Sequence, residues 1–436
     1  MLAQTLREHG VVGAGGAGFP TYVKAQAQAE FMIANGAECE PLVHKDLALM
    51  RAFPGEILSG LHLMAQAVKA RRMMFALKAK NVEAVEAIGS QPGARDVELV
   101  LLGDFYPSGD EYEVVYTATG RLIPPAGLPL HVGCVVNNVE TLYNVHRASQ
   151  GLPVTEKFLS VTGAVLRPSA FRVPLGVSFR EIIEQVGGAT VADFAVFVSG
   201  IMMGTLTFDL EEVVTKTTAG LIVLPRNHPL VARKSLPVEA QNRIGKSACD
   251  QCSYCTELCP RYLLGYEVMP HKVMRSLGFT TGGSRFWNQW GALCCACGLC
   301  TLYACPEGLF PKEACDQAKR DLREAGIRFE QASPVRVHPM KEARRVPQVQ
   351  LRRRLGIEQY QQETPLREAE WRPQRVRILL SQHAGKPAVP VVRPGDRVEK
   401  GAVVGRPPEG ELGANVHASI AGRVSEVTGT YVEIVA

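Results

Sequence analysis

The sequence predicts a multidomain α/β protein, and three observations point to it. Short apolar runs alternate with helix-like segments over roughly the first third of the chain, ten of the twelve cysteines crowd into residues 237–330, and about the last sixty residues are valine-rich runs broken by Gly/Pro turns. At 436 residues the chain is longer than one hydrophobic core usually fills, so several domains are expected. With 46% apolar and 21% charged residues it belongs among globular chains, not disordered ones.

Residues 1–150 hold the runs FMIANG, RRMMFALKA, DVELVLLG and GCVVNN, with helical segments at Gly55 to Ala70 and Val82 to Ile88 between them. This is the pattern of an α/β layer on a parallel sheet. Residues 151–236 turn strand-like (SVTGAV, FAVFVSG, GLIVLP) around one helical stretch, Ser178 to Val186, which fits a small α+β domain. Residues 237–330 are the cysteine-rich domain, and 331–375 read as an exposed helical linker carrying Arg344, Arg345, Arg352, Arg353 and Arg354 on a solvated face. Residues 376–436 read as a small β-sandwich or barrel. The net charge of +5 is mild for this length and does not ask for nucleic acid. The opening MLAQTLREHG has no apolar run and the longest apolar stretch, Phe194 to Phe208, is interrupted, so neither export nor a membrane span is expected, and the cytoplasm is.

Twelve cysteines without an export signal point to metal ligation in place of disulfides. Cys249-x-x-Cys252-x-x-Cys255-x-x-x-Cys259-Pro and Cys294-x-x-Cys297-x-x-Cys300-x-x-x-x-Cys305-Pro both follow the bacterial ferredoxin run, the second with one extra residue. A cubane needs four converging thiolates, three from a tight loop and a fourth from elsewhere. In two-cluster ferredoxins the fourth serves the other cluster, so Cys305 is expected with Cys249, Cys252 and Cys255, and Cys259 with Cys294, Cys297 and Cys300. Structural zinc also uses C-x-x-C pairs, but it needs two pairs and not two sets of four ending in Cys-Pro. Cys295 is left over, although a register in which it replaces Cys294 is open. Cys39, Cys134 and Cys315 read as buried small hydrophobes.

Gly13-x-Gly15-x-x-Gly18 nominally fits a dinucleotide fingerprint, yet Pro20 interrupts the helix start that the fingerprint requires. What stands is that bare backbone N–H groups can approach a phosphate or a planar ring, with Lys24 adding charge. GAGGAGFPT with Lys24, Asn35-Gly-Ala-Glu38-Cys-Glu40-Pro, Tyr-Pro-Ser-Gly109-Asp110-Glu111 and Val-Asn137-Asn138-Val-Glu-Thr141 occur in the same order in the flavin-binding subunit of complex I and in RnfC, and this chain resembles both. The resemblance implies an FMN site lined by Gly13, Gly15, Gly16, Gly18, Lys24, Asn35, Glu38, Gly109, Asp110, Asn137, Asn138 and Thr141. It also implies NADH stacking on the flavin against Phe19, with Glu40 and Glu111 as carboxylates for the nicotinamide ribose. Ala37 stands where the complex I pattern has an acid, and Asp110 where it has a glutamate.

Residues 156–188 resemble the soluble-ligand-binding (SLBB) β-grasp domain of the same relatives and are expected to be scaffold. VRPGDRVEKGAVVG and VHASIAGRVSEV resemble the barrel-sandwich hybrid fold of lipoyl and biotinyl carriers, without a carrier's lysine, and His417 is expected at the surface. RnfC places that module first, whereas here it lies last. This order resembles the cobalamin reductases of propanediol-utilising bacterial microcompartments. The resemblance implies an NADH-dependent oxidoreductase that passes electrons through FMN and two 4Fe-4S clusters to cobalamin, inside a microcompartment, with an adenosyltransferase and a shell protein as candidate partners. An RnfC-like pump subunit or a ferredoxin-like adaptor with another acceptor are the alternatives.

Overall fold

Four parallel strands run in the order Val97–Leu102, Arg72–Lys78, Phe31–Asn35, Cys134–Asn138 in a computed structural model that describes residues 1–278 and 288–436. The run Phe31-Met-Ile-Ala is buried throughout, as a central strand covered on both faces must be. Met32 and Ala34 face a core that includes Leu61 and Leu142, from helices Pro54–Val68 and Val139–Ser149. Phe31 and Ile33 face the opposite layer, where Val114 and Val115 of helix Glu111–Thr119 pack. The first two helices approach so closely that a Cβ on Gly60 would lie 1.9 Å from the carbonyl oxygen of Leu142, which explains the glycine.

From Phe31–Asn35 the chain continues to one neighbour in the sheet, and the last strand, Cys134–Asn138, adds on the other side. The order therefore reverses between these two strands, and Asn35 pairs in register with Asn138 at their carboxyl ends. In open α/β sheets the crevice beyond such a reversal is where ligands bind.

The second module is a five-stranded sheet, Ser169–Pro174, Glu156–Gly163, Gly220–Pro225, Phe194–Val198 and Thr205–Thr207, with helix Phe179–Gln185 packed against it. The cysteine-rich region is a set of short helices and turns. Strand Val346–Pro347 then returns to pair with Phe105–Tyr106 of the first module, and helix Gln348–Leu355 buries Leu351 and Leu355. The C-terminal module stacks a four-stranded sheet (Arg375–Leu379, Tyr431–Val435, Gly422–Val427, Arg397–Val398) with a three-stranded one (Val389–Pro390, Val403–Arg406, Val416–His417). Among the described residues no helix is long and apolar enough to cross a membrane.

Two expectations are corrected here. The arginine run is not simply a solvated face: Arg345 pairs with Glu113 at 2.8 Å, Arg344 with Glu257 at 3.4 Å, and Arg354 donates to the carbonyl of Cys305 at 3.3 Å. These contacts brace the linker against both the first module and the cysteine region. His417 is 2% exposed, because the C-terminal module closes over the N-terminal helix and the ring meets the carbonyl of Glu8 at 3.0 Å.

Candidate functional site

A cleft of about 990 Å³ opens at the reversal point of the parallel sheet. Its floor and one wall come from the first module: Gly15, Gly16, Asn35, Glu38, Gly109, Glu111 and Asn138 all line it. The glycine segment is a closed loop, not a strand-to-helix turn. The Gly13 N–H donates to the Phe19 carbonyl at 2.8 Å, and helix Thr21–Ala25 runs for only five residues. The Ala14 N–H donates to Thr141 Oγ1 at 2.9 Å, fixing the loop to the start of helix Val139–Ser149.

The glycines have different reasons to be glycine. Gly16 has φ +120°, and a Cβ there would meet no protein atom within 4 Å, so the space above it is open to a ligand. Gly18 has φ +63°, and its Cβ would press on His383 and Thr217 at 3.1 Å. The C-terminal module also docks there, through the Ala384 N–H to the Gly18 carbonyl at 2.9 Å. Gly109 abuts the Ala37 carbonyl, 2.3 Å from where a Cβ would sit, and its own carbonyl accepts from Asn35 Nδ2 at 3.0 Å.

Of the remaining predicted residues, Lys24 donates to the Val136 carbonyl at 2.7 Å and lies 3.7 Å from Glu111, and neither Lys24 nor Phe19 lines the cleft. Asp110 caps helix Glu111–Thr119 through the N–H groups of Tyr112 and Glu113. Asn137 is buried, and its Nδ2 has no partner in the protein. Glu40 lines the cleft, but its carboxylate turns to the β-grasp loop and accepts the Met202 N–H. Burial pushes the Glu40 carboxyl up to about 7 against the pull of the loop N–H groups. Glu38 accepts the Asp46 N–H at 3.1 Å, and burial followed by the Asp46 charge pushes it up to about 7.

Sequence reasoning missed two parts of this site. Beneath the cleft lies a buried charge network: Lys45 reaches Asp46 at 2.5 Å and Glu140 at 2.9 Å, Lys157 also contacts Glu140, and Asn138 Nδ2 donates to Asp46 at 2.8 Å. The run His44-Lys45-Asp46 just after the Asn35–Pro41 motif was the available signal. The second omission is the opposite wall. The β-grasp domain was expected to be scaffold, yet Ser199, Met203, Thr205 and the 215–219 segment line the cleft. Their signal is absent, since small and threonine side chains reach the cleft only through the packing of modules.

The cysteine cassettes share a backbone pattern. Gln251 and Ser253 have φ of 61° and 65°, and Ala296 and Gly298 have φ of 58° and 78°. These left-handed residues flank Cys252 in one cassette and Cys297 in the other, which makes Cys294, not Cys295, the counterpart of Cys249. Non-glycine residues adopt that region only where the surroundings demand it, and here it folds each loop back on itself. Cys249, Cys252, Cys255 and Cys305 line one small cavity. Cys259 interacts instead with Cys294 and Cys295, and Cys300 with Cys294, with Cys255 of the first cassette and with Cys259. Amide hydrogens already face the sulfurs, from Ala296 to Cys294 and from Leu309 to Cys305, both at 3.3 Å. Of the lone cysteines, Cys315 and Cys134 are buried and Cys39 is only partly exposed.

Both cofactor types fit these residues. The open space over Gly16 suits a flavin, and the cavity lined by Cys249, Cys252, Cys255 and Cys305 suits a cluster. Cys295 and Cys297 themselves line the flavin cleft, so the two sites share a wall.

The Nuo51 FMN-binding domain matches residues 6–147, the SLBB domain 158–205, the 4Fe-4S dicluster domain 248–310 and the RnfC barrel sandwich hybrid domain 356–435. Fold and site together define an electron-transfer reductase of the flavin and iron–sulfur class. The cobalamin reductase PduS of Citrobacter freundii is 40% identical over 439 residues, covering 99% of this chain and 97% of that one. The cobalamin reductase PduS of Salmonella typhimurium is 41% identical over 437 residues, covering 100% and 96%. The chain belongs to this PduS cobalamin reductase family. A more distant relative, a component of the ion-translocating oxidoreductase complex of Salmonella dublin, is 32% identical over 273 residues, covering 61% of this chain and 37% of that one.

Proposed function

We propose that this chain oxidises NADH on FMN, passes the electrons through two 4Fe-4S clusters and reduces cobalamin, serving a propanediol-utilising bacterial microcompartment. The observation that carries the reading is the shared wall, where Cys295 and Cys297 line the same cleft as Gly15, Gly16, Asn35 and Asn138. FMN, when bound, supplies the step from a two-electron donor to one-electron carriers. The chain's own residues set the frame for it. Gly15 and Gly16 give the backbone close approach, and Glu38 and Glu111 present carboxylates at the cleft to the hydroxyls of a ribose. Cys259, Cys294, Cys297 and Cys300 would hold the cluster beside the cleft, and Cys249, Cys252, Cys255 and Cys305 the cluster beyond it. Cys252 is exposed, which suits the latter to hand electrons outward. An adenosyltransferase would use the reduced product, and a shell protein would hold the enzyme in place.

The test is anaerobic purification with assay of flavin and iron, followed by NADH and cob(III)alamin. The expected result is one FMN, about eight irons, bleaching of both chromophores by NADH, and cob(II)alamin appearing first because clusters deliver single electrons. The rate should exceed that of a two-cluster ferredoxin fed by an unrelated reductase. Equal rates, with another carrier reduced far faster, would replace this reading by the adaptor or pump-subunit one.

A further inference from the structure

Arg261 follows the Cys259-Pro260 step and is 9% exposed. Its Nη2 donates to Asp110 Oδ2 at 2.9 Å, and its guanidinium lies 3.5 Å from the centre of the Tyr112 ring. Nε and Nη1 are buried and find no hydrogen-bond partner in the protein. A cation with dry, unpartnered N–H groups is costly, so such groups call for an acceptor. What lies beside them is sulfur: Cys295 adjoins the guanidinium, and Cys259 adjoins Cys294 and Cys295. Asp110, on the other side, lines the flavin cleft. Arg261 thus stands between the cleft and the second cassette, held by Asp110 on the cleft side and turned to the Cys295 sulfur on the cassette side.

We propose that Arg261 sets the reduction potential of the cluster held by Cys259, Cys294, Cys297 and Cys300, a proposal that rests on the two-cluster reading above. Reducing a 4Fe-4S cluster by one electron adds one negative charge, breaks no bond and moves no proton. A fixed cation beside the cluster therefore favours the reduced form, and the attraction is weakly screened in a dry setting. The guanidinium acts through its fixed charge and through Cys295, the chain neighbour of Cys294. Asp110 orients the guanidinium and offsets part of its charge. The effect makes the cluster beside the cleft the better acceptor for electrons leaving the flavin.

The test is an electron-paramagnetic-resonance redox titration of the full-length holoprotein. In Arg261→Gln one cluster should show about a tenfold lower reduced-to-oxidised ratio at fixed potential, about 59 mV for one electron, with the other cluster unmoved. Asp110→Asn removes the counter-charge and should move the same cluster in the opposite direction. A residue that merely braces the fold would not produce opposite signs. If Arg261→Gln keeps its iron and both clusters titrate as in the unaltered protein, the proposal is overturned. Should Arg261→Gln lose iron, Asp110→Asn decides: an upward shift upholds the proposal, and no shift or a downward one ends it. The unaltered protein's own spectrum tests the two-cluster reading separately, since a protein without two cluster signals removes that reading and this proposal with it.

Discussion

The two cysteine cassettes have nearly the same spacing and the same left-handed residues around their second cysteine, yet they sit in different surroundings. In the second, Cys294, Cys297 and Cys300 are all buried, Cys297 lines the flavin cleft, and the Tyr106 hydroxyl donates to the Cys297 carbonyl at 2.7 Å. In the first, Cys252 is exposed and Cys249 partly so. Nearly identical ligand motifs have thus been placed one inside and one outside. The extra residue before Cys305 and the docking of the β-grasp loop, whose Met202 carbonyl lies against Gly298, belong to the inner cassette alone. On the proposed reading this difference gives a direction: electrons would enter at the inner cassette and leave at the outer one.

The largest effect should come from separating the two. Cys300→Ser should remove about half the iron and leave the outer cluster reducible by dithionite but not by NADH. Cys252→Ser should also remove about half the iron, with NADH still reducing the inner cluster. Crossed ligation adds that Cys259→Ser behaves like Cys300→Ser and Cys305→Ser like Cys252→Ser, whereas Cys295→Ser keeps all its iron. Iron assays with NADH-difference spectra check the set. Cys259→Ser behaving like Cys252→Ser would break the comparison.

A smaller effect is expected at the cleft. Gly16→Val places a β-branched residue at φ +120° and a side chain in the space open to the flavin. Flavin content should fall at least tenfold while cluster absorbance stays. Gly18→Ala should act differently, because its Cβ meets His383 and Thr217: it should loosen the C-terminal module, seen as faster proteolysis, with a lesser loss of flavin. Normal flavin affinity in Gly16→Val would place the flavin elsewhere.

What could be read from the sequence followed from how local each signal was. The four-module α/β architecture and the dicluster cassettes were legible, because alternation, ferredoxin spacing and turn chemistry are written within a few residues of one another. Helices expected at Gly55 to Ala70 and Val82 to Ile88 appear at Pro54–Val68 and Val82–Gly89. The β-grasp wall was not legible, since Ser199, Thr205 and Thr217 carry no pattern until modules pack. Nor was the reason for Gly18, which is the approach of a module some 360 residues later in the chain. His417 and the arginine run misled for the same cause: charge and polarity suggest solvent, and long-range partners override that prior.

The smallest effect concerns Glu40, where the inner side of the comparison meets the β-grasp loop. Its carboxyl is pushed up to about 7, chiefly by burial, from an ordinary value of 4.5. A carboxyl raised in the folded state binds its proton more tightly there than in the unfolded chain. Its favourable share of stability is therefore complete below about 4.5 and is lost as the pH climbs through about 7. Glu40→Gln keeps an oxygen to accept the Met202 N–H but cannot ionise. The variant should thus flatten the fall in stability between pH 4.5 and 7, measured by denaturant unfolding at a series of pH values, and should change it little at lower pH. The loop Glu40 holds is the one that lies against Gly298, so ionisation of Glu40 should also loosen the seat of the inner cassette. In the unaltered protein, the iron of the inner cluster should then become more accessible to a chelator as the pH rises from 6 to 8, while Glu40→Gln shows no such rise. Parallel profiles for the two proteins would mean that Glu40 remains charged at its seat, held by the loop N–H groups, and that the loop does not respond to its proton.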